Sequence, residues 1–330
     1  MDEGNISENN LGGQERSDDL GGRSGKLGDA NNARALSGEA SGKLDASTFL
    51  VTGANGQVGR ALRARFPEAW AVSHSELDIA DWDAVAAFDW SNIEVILNAA
   101  AYTNVDGAET GEGRVAAWQT NAVAAANLAK IAAVRGITLV HISSDYVFDG
   151  TSQSHLEIEP LSPLGVYGQS KAAGDIAAST APKHYVLRAS WVIGDGNNFV
   201  RTMIGLAGKN ISPSVVADQV GRLTFTGTLA AAIEHLLKAN APFGTYNISN
   251  GGEPASWADI TREIFADLGR DDLHVTDTTT AAYFASKPTA ALRPLSSTFD
   301  LSKITAAGFT PPDWRAELKS YIANEKEQHA

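Results

Sequence analysis

The fold of this chain is decided by the stretch TFLVTGANGQVG, residues 48–59. Its first five residues are β-prone, three glycines follow in the pattern G-x-x-G-x-x-G, and a helix-prone segment rich in alanine and arginine comes next. A strand, a glycine turn and a helix start form the phosphate-binding element of a dinucleotide-binding fold. We expect Gly53 to make the tight turn, Gly56 to admit the pyrophosphate and Gly59 to let the helix pack on the strand. An ordinary turn remains the alternative, because a lone glycine loop is a weak signal.

Short apolar runs alternate with alanine-rich segments beyond this stretch. Predicted strands cover residues 70–72, 94–98, 138–143, 184–189, 214–216 and 245–248, and predicted helices cover residues 81–88, 116–135, 171–179, 198–207, 229–238 and 257–268. Alternation of this kind predicts an α/β fold with a doubly wound parallel sheet (Rossmann).

The N-terminal segment, residues 1–46, has a different composition. It holds nine glycines, nine acidic and five basic residues, and no aromatic residue. Such a segment cannot bury enough apolar surface to offset its ordering entropy. The sequence therefore predicts a disordered acidic, glycine-rich tail or linker over 1–46, and a folded body over 47–330.

A tyrosine and a lysine four residues apart, Tyr167 and Lys171, follow a serine pair that ends in Ser144. Residues four apart share a helix face, so both side chains can point at one substrate atom. A lysine ammonium beside a phenol favours the phenolate, and we expect it to lower the pKa of Tyr167 from its usual value of about 10. Ser144 can bind the same substrate oxygen. Such a set interconverts an alcohol and a ketone beside a hydride carrier.

Composition excludes several other classes of protein. The chain has 330 residues, of which 43% are hydrophobic, enough for a large core or a core plus a smaller lobe. We expect no membrane span, no secretory signal and a cytoplasmic location, since apolar runs are short and the N-terminus is polar. The absence of cysteine excludes disulfides and thiolate metal sites, and the seven histidines show no metal-ligand spacing. A net charge of −13 argues against a nucleic-acid surface.

Eight segments together carry a resemblance to a known family. They are GANGQVG (53–59), NAAAYTNVDGAE (98–109), SSDYVFDG (143–150), YGQSKAAGD (167–175), LRASWVIG (187–194), GNNF (196–199), DQVGRLT (218–224) and RPLSSTFD (293–300). From residue 47 to its C-terminus the chain is similar to the extended short-chain dehydrogenase/reductase superfamily. Within it, Gln57, VDGAE, SDYVFDG and DQVGRLT resemble the dTDP-4-dehydrorhamnose reductase branch.

The resemblance implies a division of the body and a reaction. Residues 47–195 would form mainly the dinucleotide-binding Rossmann part, and residues 196–330 mainly a smaller C-terminal substrate-binding lobe with some segments returning to the sheet. NADPH or NADH would reduce the C4 ketone of dTDP-4-dehydro-6-deoxy-L-mannose to give dTDP-L-rhamnose. Tyr167 would protonate the oxygen, Lys171 would tune Tyr167 and hold the nicotinamide ribose, and Ser144 would polarise the carbonyl.

The resemblance also implies which residues line the site. The expected cofactor-binding residues are Gly53, Asn55, Gly56, Gln57, Val58, Asp78, Ile79, Ala100, Ala101, Tyr102, Thr103, Tyr167 and Lys171. The expected substrate-binding residues are Ser144, Asp145, Trp191 and Arg293, with the arginine meeting the diphosphate. From the residues alone, the neighbourhood of Asp78 could equally be a helix cap, the alanines and Trp191 core, and Arg293 a surface turn.

The preference for NADH or NADPH depends on the residues after the second predicted strand, which are Ser73-His74-Ser75. No acid stands there to repel a 2′-phosphate and no arginine to bind one, so we expect the catalytic efficiencies with NADH and NADPH to differ by less than about thirtyfold. The chain departs from the common pattern of the branch in three places. Ser144 replaces a threonine, Gly165 replaces a bulkier residue before Tyr167, and Ser296 replaces an asparagine.

Partners follow from the resemblance as expectations. The most direct expectation is a small-molecule partner, the nucleotide-sugar substrate. We also expect a homodimer, and an association or fusion with the 3,5-epimerase of the same pathway. Some members bridge a dimer with Mg²⁺ through acidic clusters, but Asp106 and Glu109 could equally be surface charges, and no motif assigns a ligand. Two other readings stay open: a sugar-nucleotide 4-epimerase that keeps its NAD, and a non-catalytic regulatory subunit like that of methionine adenosyltransferase.

Overall fold

The structure is a computed structural model that describes residues 44–287 and 289–328. The strands are β1 (Phe49–Thr52), β2 (Trp70–Val72), β3 (Val95–Asn98), β4 (Thr138–Ser144), β5 (His184–Ala189), β6 (Val192–Ile193), β7 (Ser214–Val216), β8 (Val220–Gly221), β9 (Thr224–Phe225), β10 (Gly244–Ile248), β11 (Ala255–Ser256) and β12 (Thr276–Thr278). The helices are α1 (Gln57–Arg65), α2 (Trp82–Ala87), α3 (Gly111–Trp118), α4 (Ala124–Arg135), α5 (Val166–Ala178), α6 (Phe199–Gly208), α7 (Thr226–Lys238), α8 (Trp257–Leu268), α9 (Thr280–Phe284), α10 (Ser302–Ala306) and α11 (Trp314–Gln328).

A six-stranded parallel sheet forms the centre, in the order β10-β5-β4-β3-β1-β2. The predicted α/β class with a doubly wound parallel sheet is confirmed. The strand order reverses between β1 and β3, because β2 lies on one side of β1 and β3 on the other. In open sheets of this kind, ligands bind in the crevice beyond the carboxyl ends of the strands at that reversal.

Strand β1 shows why the sheet is buried on both faces. Phe49 and Val51 pack into one apolar cluster with helices α1 and α7, while Leu50 packs into a second cluster with α2 and α4. A strand covered by helices on both faces reads as a continuous apolar run, and β1 is such a run. The carboxyl end of β1 is thereby fixed where the glycine turn begins.

A third apolar cluster lies in the C-terminal half. It joins α6, α8 and α11 around Ile264 and Trp314. The same half also returns to the main sheet, since β10 pairs in parallel with β5. Among the described residues, no helix is both long and apolar enough to span a bilayer.

One predicted helix is interrupted. The sequence predicts a single helix over 116–135, but a π-helical turn at Gln119–Val123 separates α3 from α4. The side chain of Asn121, buried in this turn, accepts from Tyr102 N at 2.9 Å and donates to Ser170 Oγ at 2.9 Å. An alanine-rich pattern does not reveal such a bulge, which depends on partners distant in the sequence.

The start of the described chain packs against the core. Asp45 caps a short 3₁₀ turn at Ala46–Thr48 by accepting from Ser47 N, Ala46 is buried, and Leu44 packs on the cluster of α1 and α7. These residues fall at the end of the tail predicted over 1–46, and they are ordered. The remainder of that prediction, residues 1–43, lies outside the described residues.

Candidate active site

The glycine turn brings a helix N-terminus to the end of β1. Gly53 adopts a left-handed φ of +67°, and a Cβ on it would lie 2.4 Å from Ala100 N, so only glycine permits this approach to the end of β3. A Cβ on Gly59 would lie 2.1 Å from Gly53 O, which places helix α1 directly against the turn. No side chain caps α1 at Gly56. Its first N–H groups are therefore available to bind phosphate oxygens.

A cleft of about 710 Å³ opens at this point, and we refer to it as the cofactor cleft. Of the predicted cofactor-binding residues, those that line it are Gly53, Asn55, Gly56, Asp78, Ile79, Ala100 and Ala101. Its position beyond β1 and β3, its size and its uncapped helix end fit a dinucleotide. Val58 packs on the core instead, and Tyr102 packs against Tyr167.

The side chain of Gln57 makes contacts that the sequence does not predict. Its Oε1 accepts from Gly194 N at 3.0 Å, and its Nε2 donates to Asn197 O at 3.4 Å. Arg60, one turn further along α1, forms an ion pair with Asp195 at 3.0 Å. The glutamine side chain thus joins α1 to the loop after β6, and its backbone N–H, at the start of α1, is the group placed for a phosphate.

An acid reaches the end of β2, contrary to the interpretation of Ser73-His74-Ser75. The Glu76 carboxylate accepts from both Ser73 N and Ser73 Oγ at 2.7 Å. The reason is a turn in which Glu76 N and Leu77 N both donate to Ser73 O. The Asp78 carboxylate lies 3.6 Å from His74 Nδ1. Asp78 lines the cofactor cleft, whereas Glu76 is not among its lining residues, so the carboxylate bound to Ser73 lies beside the cleft.

Tyr167 and Lys171 lie on one face of α5, as their spacing predicts. Both side chains are buried, and the Lys171 ammonium donates to Ile142 O at 2.6 Å. Burial raises the pKa of Tyr167 to about 12, and a hydrogen bond with Ser144 offsets only part of this effect. The expectation that Lys171 lowers the pKa of Tyr167 is wrong for this structure: burial raises that pKa, and Lys171 is not among the groups that shift it. Burial also lowers the pKa of Lys171 to about 8.

Ser144 ends β4 beside Tyr167. Its Oγ donates to Asp145 Oδ1 at 3.0 Å and accepts from Tyr146 N at 3.2 Å. Burial raises the pKa of Asp145 to about 6. We call Ser144, Asp145, Tyr167 and Lys171 the Tyr167 cluster. The substitution of serine for threonine at 144 retains the hydroxyl that this arrangement uses.

The N-terminus of α5 is fixed by Glu109 and Gly165. Glu109 Oε1 accepts from Val166 N at 2.9 Å, so this carboxylate caps the helix that carries Tyr167. A Cβ on Gly165 would lie 2.7 Å from the same oxygen. Glycine at 165 therefore admits the carboxylate. The sequence left Glu109 open between a surface charge and part of an acidic cluster, and only its place in the VDGAE segment marked it.

Two predicted substrate-binding residues lie on the C-terminal side. Trp191 adopts a left-handed φ of +46° and stacks on Trp257 with ring centroids 3.7 Å apart. Arg293 forms an ion pair with Asp106 at 2.8 Å and donates to Ala291 O at 2.7 Å. Part of the guanidinium is thus occupied, and a diphosphate would compete with Asp106 for it. In the described ranges no three His, Cys, Asp or Glu side chains converge as a metal site would need.

Comparisons with known proteins agree with the resemblance seen in the sequence. The model of the family described as RmlD substrate binding domain matches residues 47–327. A dTDP-4-dehydrorhamnose reductase of Aggregatibacter actinomycetemcomitans is 38% identical over 293 residues, which cover 83% of this chain and 98% of the relative.

Two solved structures agree in fold as well. A dTDP-4-dehydrorhamnose reductase from Clostridium acetobutylicum has a TM-score of 0.78 and 35% identity, covering 84% of this chain and 99% of that one. One from Bacillus anthracis, in complex with NADP, has a TM-score of 0.77 and 33% identity, covering 84% and 98%. The predicted resemblance is confirmed.

Proposed function

The chain belongs to the family of the RmlD substrate binding domain, and on that premise we propose that it is an NAD(P)H-dependent dTDP-4-dehydrorhamnose reductase. It reduces the C4 ketone of dTDP-4-dehydro-6-deoxy-L-mannose to give dTDP-L-rhamnose. The observation that carries this proposal is the position of the buried Tyr167 and Lys171 beyond β4, in a sheet whose β1 and β3 ends open onto a cleft of dinucleotide size.

The cofactor cleft binds the dinucleotide through backbone and small residues. The uncapped start of α1 holds the pyrophosphate, and Ala100 and Ala101 leave room for the nicotinamide half. A reduced nicotinamide supplies the hydride for C4 when it is bound. The close approach of Gly53 to Ala100 keeps the two strand ends, β1 and β3, at the spacing that the cleft requires.

Tyr167 is the proton donor in this proposal. Its pKa of about 12 means that the phenol keeps its proton throughout the neutral range, which is the state that reduction of a ketone requires. Ser144 Oγ, which hydrogen-bonds to Tyr167, would turn its one O–H from Asp145 to the same substrate oxygen. Both groups stabilise the negative charge that develops on that oxygen.

Lys171 supplies a fixed positive charge. With a pKa of about 8 it is protonated at neutral pH, so a positive charge lies one helical turn from the phenol that gives up its proton. Its hydrogen bond to Ile142 O anchors it at the end of β4. A second bond, to the ribose of the nicotinamide, uses another of its three donors.

The substrate is held by the C-terminal lobe. The Trp191 ring, fixed by stacking on Trp257, packs against the sugar, and Arg293 exchanges Asp106 for the diphosphate. Asp145, at the end of β4, contacts the sugar hydroxyls. We further propose a cytoplasmic location, a homodimer, and an association with the 3,5-epimerase that makes the substrate.

Turnover with a defined substrate tests the proposal. The purified protein is mixed with dTDP-4-dehydro-6-deoxy-L-mannose and NADPH, the absorbance of the reduced cofactor is followed, and the product is identified by NMR. Stoichiometric consumption of NADPH with formation of dTDP-L-rhamnose is expected. A sugar epimerised at C4 without net consumption would identify a 4-epimerase, and no conversion at all would support a regulatory subunit; either outcome contradicts the proposal.

A further inference from the structure

The segment YGQSKAAGD ends in a carboxylate, Asp175, that the proposed reaction leaves without a role. On α5 it follows Lys171 by one turn, so the two side chains share a helix face. Both are almost completely buried, with 3% of Asp175 and 1% of Lys171 exposed. A buried carboxylate is costly unless a cation or hydrogen bonds compensate it.

Arg188 of β5 holds Asp175 in place. Its Nε donates to Asp175 Oδ2 at 3.0 Å, and its Nη1 donates to Glu157 O at 3.1 Å. The guanidinium also lies 5.0 Å above the Phe148 ring. These three contacts fix the arginine, and therefore the carboxylate, without involving the other oxygen. The Ser143 side chain, at the end of β4, also interacts with this carboxylate and favours its ionised form.

Lys171 has no direct ion-pair partner among the described residues, and its ammonium donates to the neutral Ile142 O. Several ionisable groups surround it. Tyr167 and Asp175 flank it on α5, and His141 on β4 interacts with it; Arg188 of β5 interacts with Asp175, and Asp145 after β4 interacts with Tyr167.

Only one of these groups offsets the burial of the ammonium. Burial holds the pKa of His141 well below its usual value, so this imidazole is neutral. The charge of Asp175 raises the pKa of Lys171 and so opposes the effect of burial. Burial raises the pKa of Asp175 as well, while the charges of Arg188 and Lys171 oppose this effect; the carboxylate thus lies between two buried cations and compensates both.

We propose that Asp175 is a positioning residue for the reductase reaction: oriented by Arg188, its carboxylate is the counter-ion that keeps the buried Lys171 ammonium charged. The inference rests on the proposed function for its catalytic meaning, but not for the charge relation itself. Tyr167, Lys171 and Asp175 then lie at four-residue spacing on one helix, and Asp175 favours the charged form of Lys171.

Lysine NMR tests the charge relation without substrate or cofactor. The chain contains eleven lysines, so ¹³Cε-labelled lysine gives few signals, and the Lys171 signal is the one missing in Lys171→Met. In Asp175→Asn, the midpoint of the Lys171 titration should fall by about one pH unit, the lower range for loss of a nearby opposite charge. As a control, Asp271→Asn removes an exposed carboxylate and should leave the midpoint unchanged.

A double variant keeps the test decisive if Asp175→Asn does not fold, since it leaves Arg188 as an uncompensated buried cation. Asp175→Asn/Arg188→Met removes both charges of the pair, and the Lys171 midpoint should again lie below that of the wild type. An unchanged midpoint in either folded variant overturns the proposal.

Activity supplies the second readout. The alkaline limb of kcat/KM should move to lower pH in Asp175→Asn by the same amount as the NMR midpoint, whereas a merely structural role would lower the rate equally at all pH values. If the Lys171 midpoint falls in Asp175→Asn but the wild-type protein shows no turnover, the proposed function is refuted and the charge relation between Asp175 and Lys171 stands. An activity limb that stays in place while the midpoint falls would overturn the positioning role.

Discussion

The cofactor cleft and the Tyr167 cluster lie at the same edge of one sheet, but different kinds of chemical group form them. The cleft is formed by backbone, glycine and alanine, with Gly53, Gly59 and Ala100 in close approach. The cluster is formed by ionisable side chains that are almost completely buried, and burial raises the pKa of Tyr167 and lowers that of Lys171. Shape therefore determines what the first region binds, whereas the electrostatic environment determines what the second can do.

Tyr167→Phe should affect the Tyr167 cluster and leave the cofactor cleft intact, and we expect its effect to be the largest. The ring and its packing remain and only the hydroxyl is lost, so turnover should fall by roughly 10²–10⁴ while the Kd for NADPH stays near that of the wild type. Stopped-flow turnover and fluorescence titration measure the two quantities. Tyr283→Phe, which removes the hydroxyl of a half-exposed ring on α9, is the control. A turnover close to wild type would remove Tyr167 from its role.

Gly59→Ala should instead affect the cofactor cleft. The new Cβ would meet Gly53 O at 2.1 Å, so α1 must move away from the turn that holds the pyrophosphate. We expect a loss of about 1–3 kcal/mol in the free energy of unfolding and NADPH binding weaker by at least about tenfold.

Gly205→Ala is the matched control for that variant. It lies in the exposed face of α6, and a Cβ there has no atom within 4 Å. It should leave binding unchanged and increase stability by roughly 0.5–1 kcal/mol. If Gly59→Ala bound NADPH as tightly as Gly205→Ala, the close approach at the turn would not shape the cleft.

The preference for NADH or NADPH tests whether a charged group near the cofactor cleft affects which cofactor is used. Glu76→Gln removes the carboxylate bound to Ser73 and should shift the ratio of kcat/KM values towards NADPH by about two- to fivefold, the size of a screened surface contact. In the wild type we still expect the two cofactors to differ by less than about thirtyfold.

The control for Glu76 is Glu68→Gln, which removes the same charge before the other end of β2. The shift should shrink at high salt because Glu76 is exposed. Equal shifts in the two variants would mean that net charge, rather than the position of Glu76, is responsible.

The smallest effect is expected at the N-terminus. A chain beginning at Leu44 should melt at the temperature of the full-length protein. One beginning at Thr48 loses the Asp45 cap and buried Ala46, which should cost about 1 kcal/mol and lower the Tm by roughly 2–4 °C. Calorimetry compares them. A lower Tm for the chain that begins at Leu44 would show that residues 1–43 contribute to stability.

The sequence predicted the cleft better than the cluster, for a physical reason. Glycine spacing and strand–helix alternation are local, so the turn at Gly53 and strands such as β5 and β7 were predicted with their observed positions. Protonation depends on burial, which distant segments create, and the pKa of Tyr167 was therefore predicted in the wrong direction.

Contacts made by distant segments were missed for the same reason. Gln57 was expected at the cofactor, but its side chain binds the loop at Gly194, 137 residues away. The acid at the end of β2 and the cap from Glu109 also required the folded chain. The pairing of Asp175 with Arg188 joins α5 to β5, and no local pattern encodes it.

Burial sets the protonation states of the Tyr167 cluster, and this is the central claim. The pH dependence of kcat/KM for NADPH tests the claim most directly, because kcat/KM reports the ionisable groups of the free enzyme. Reduction measured from about pH 7 to 10 should be constant at first and fall as the pH rises through about 8, where Lys171 loses its proton, while Tyr167 keeps its own. Lys171→Arg, which stays charged, should be slower but show no such fall. A wild-type profile that stays flat to pH 10, or the same fall in Lys171→Arg, would contradict the account.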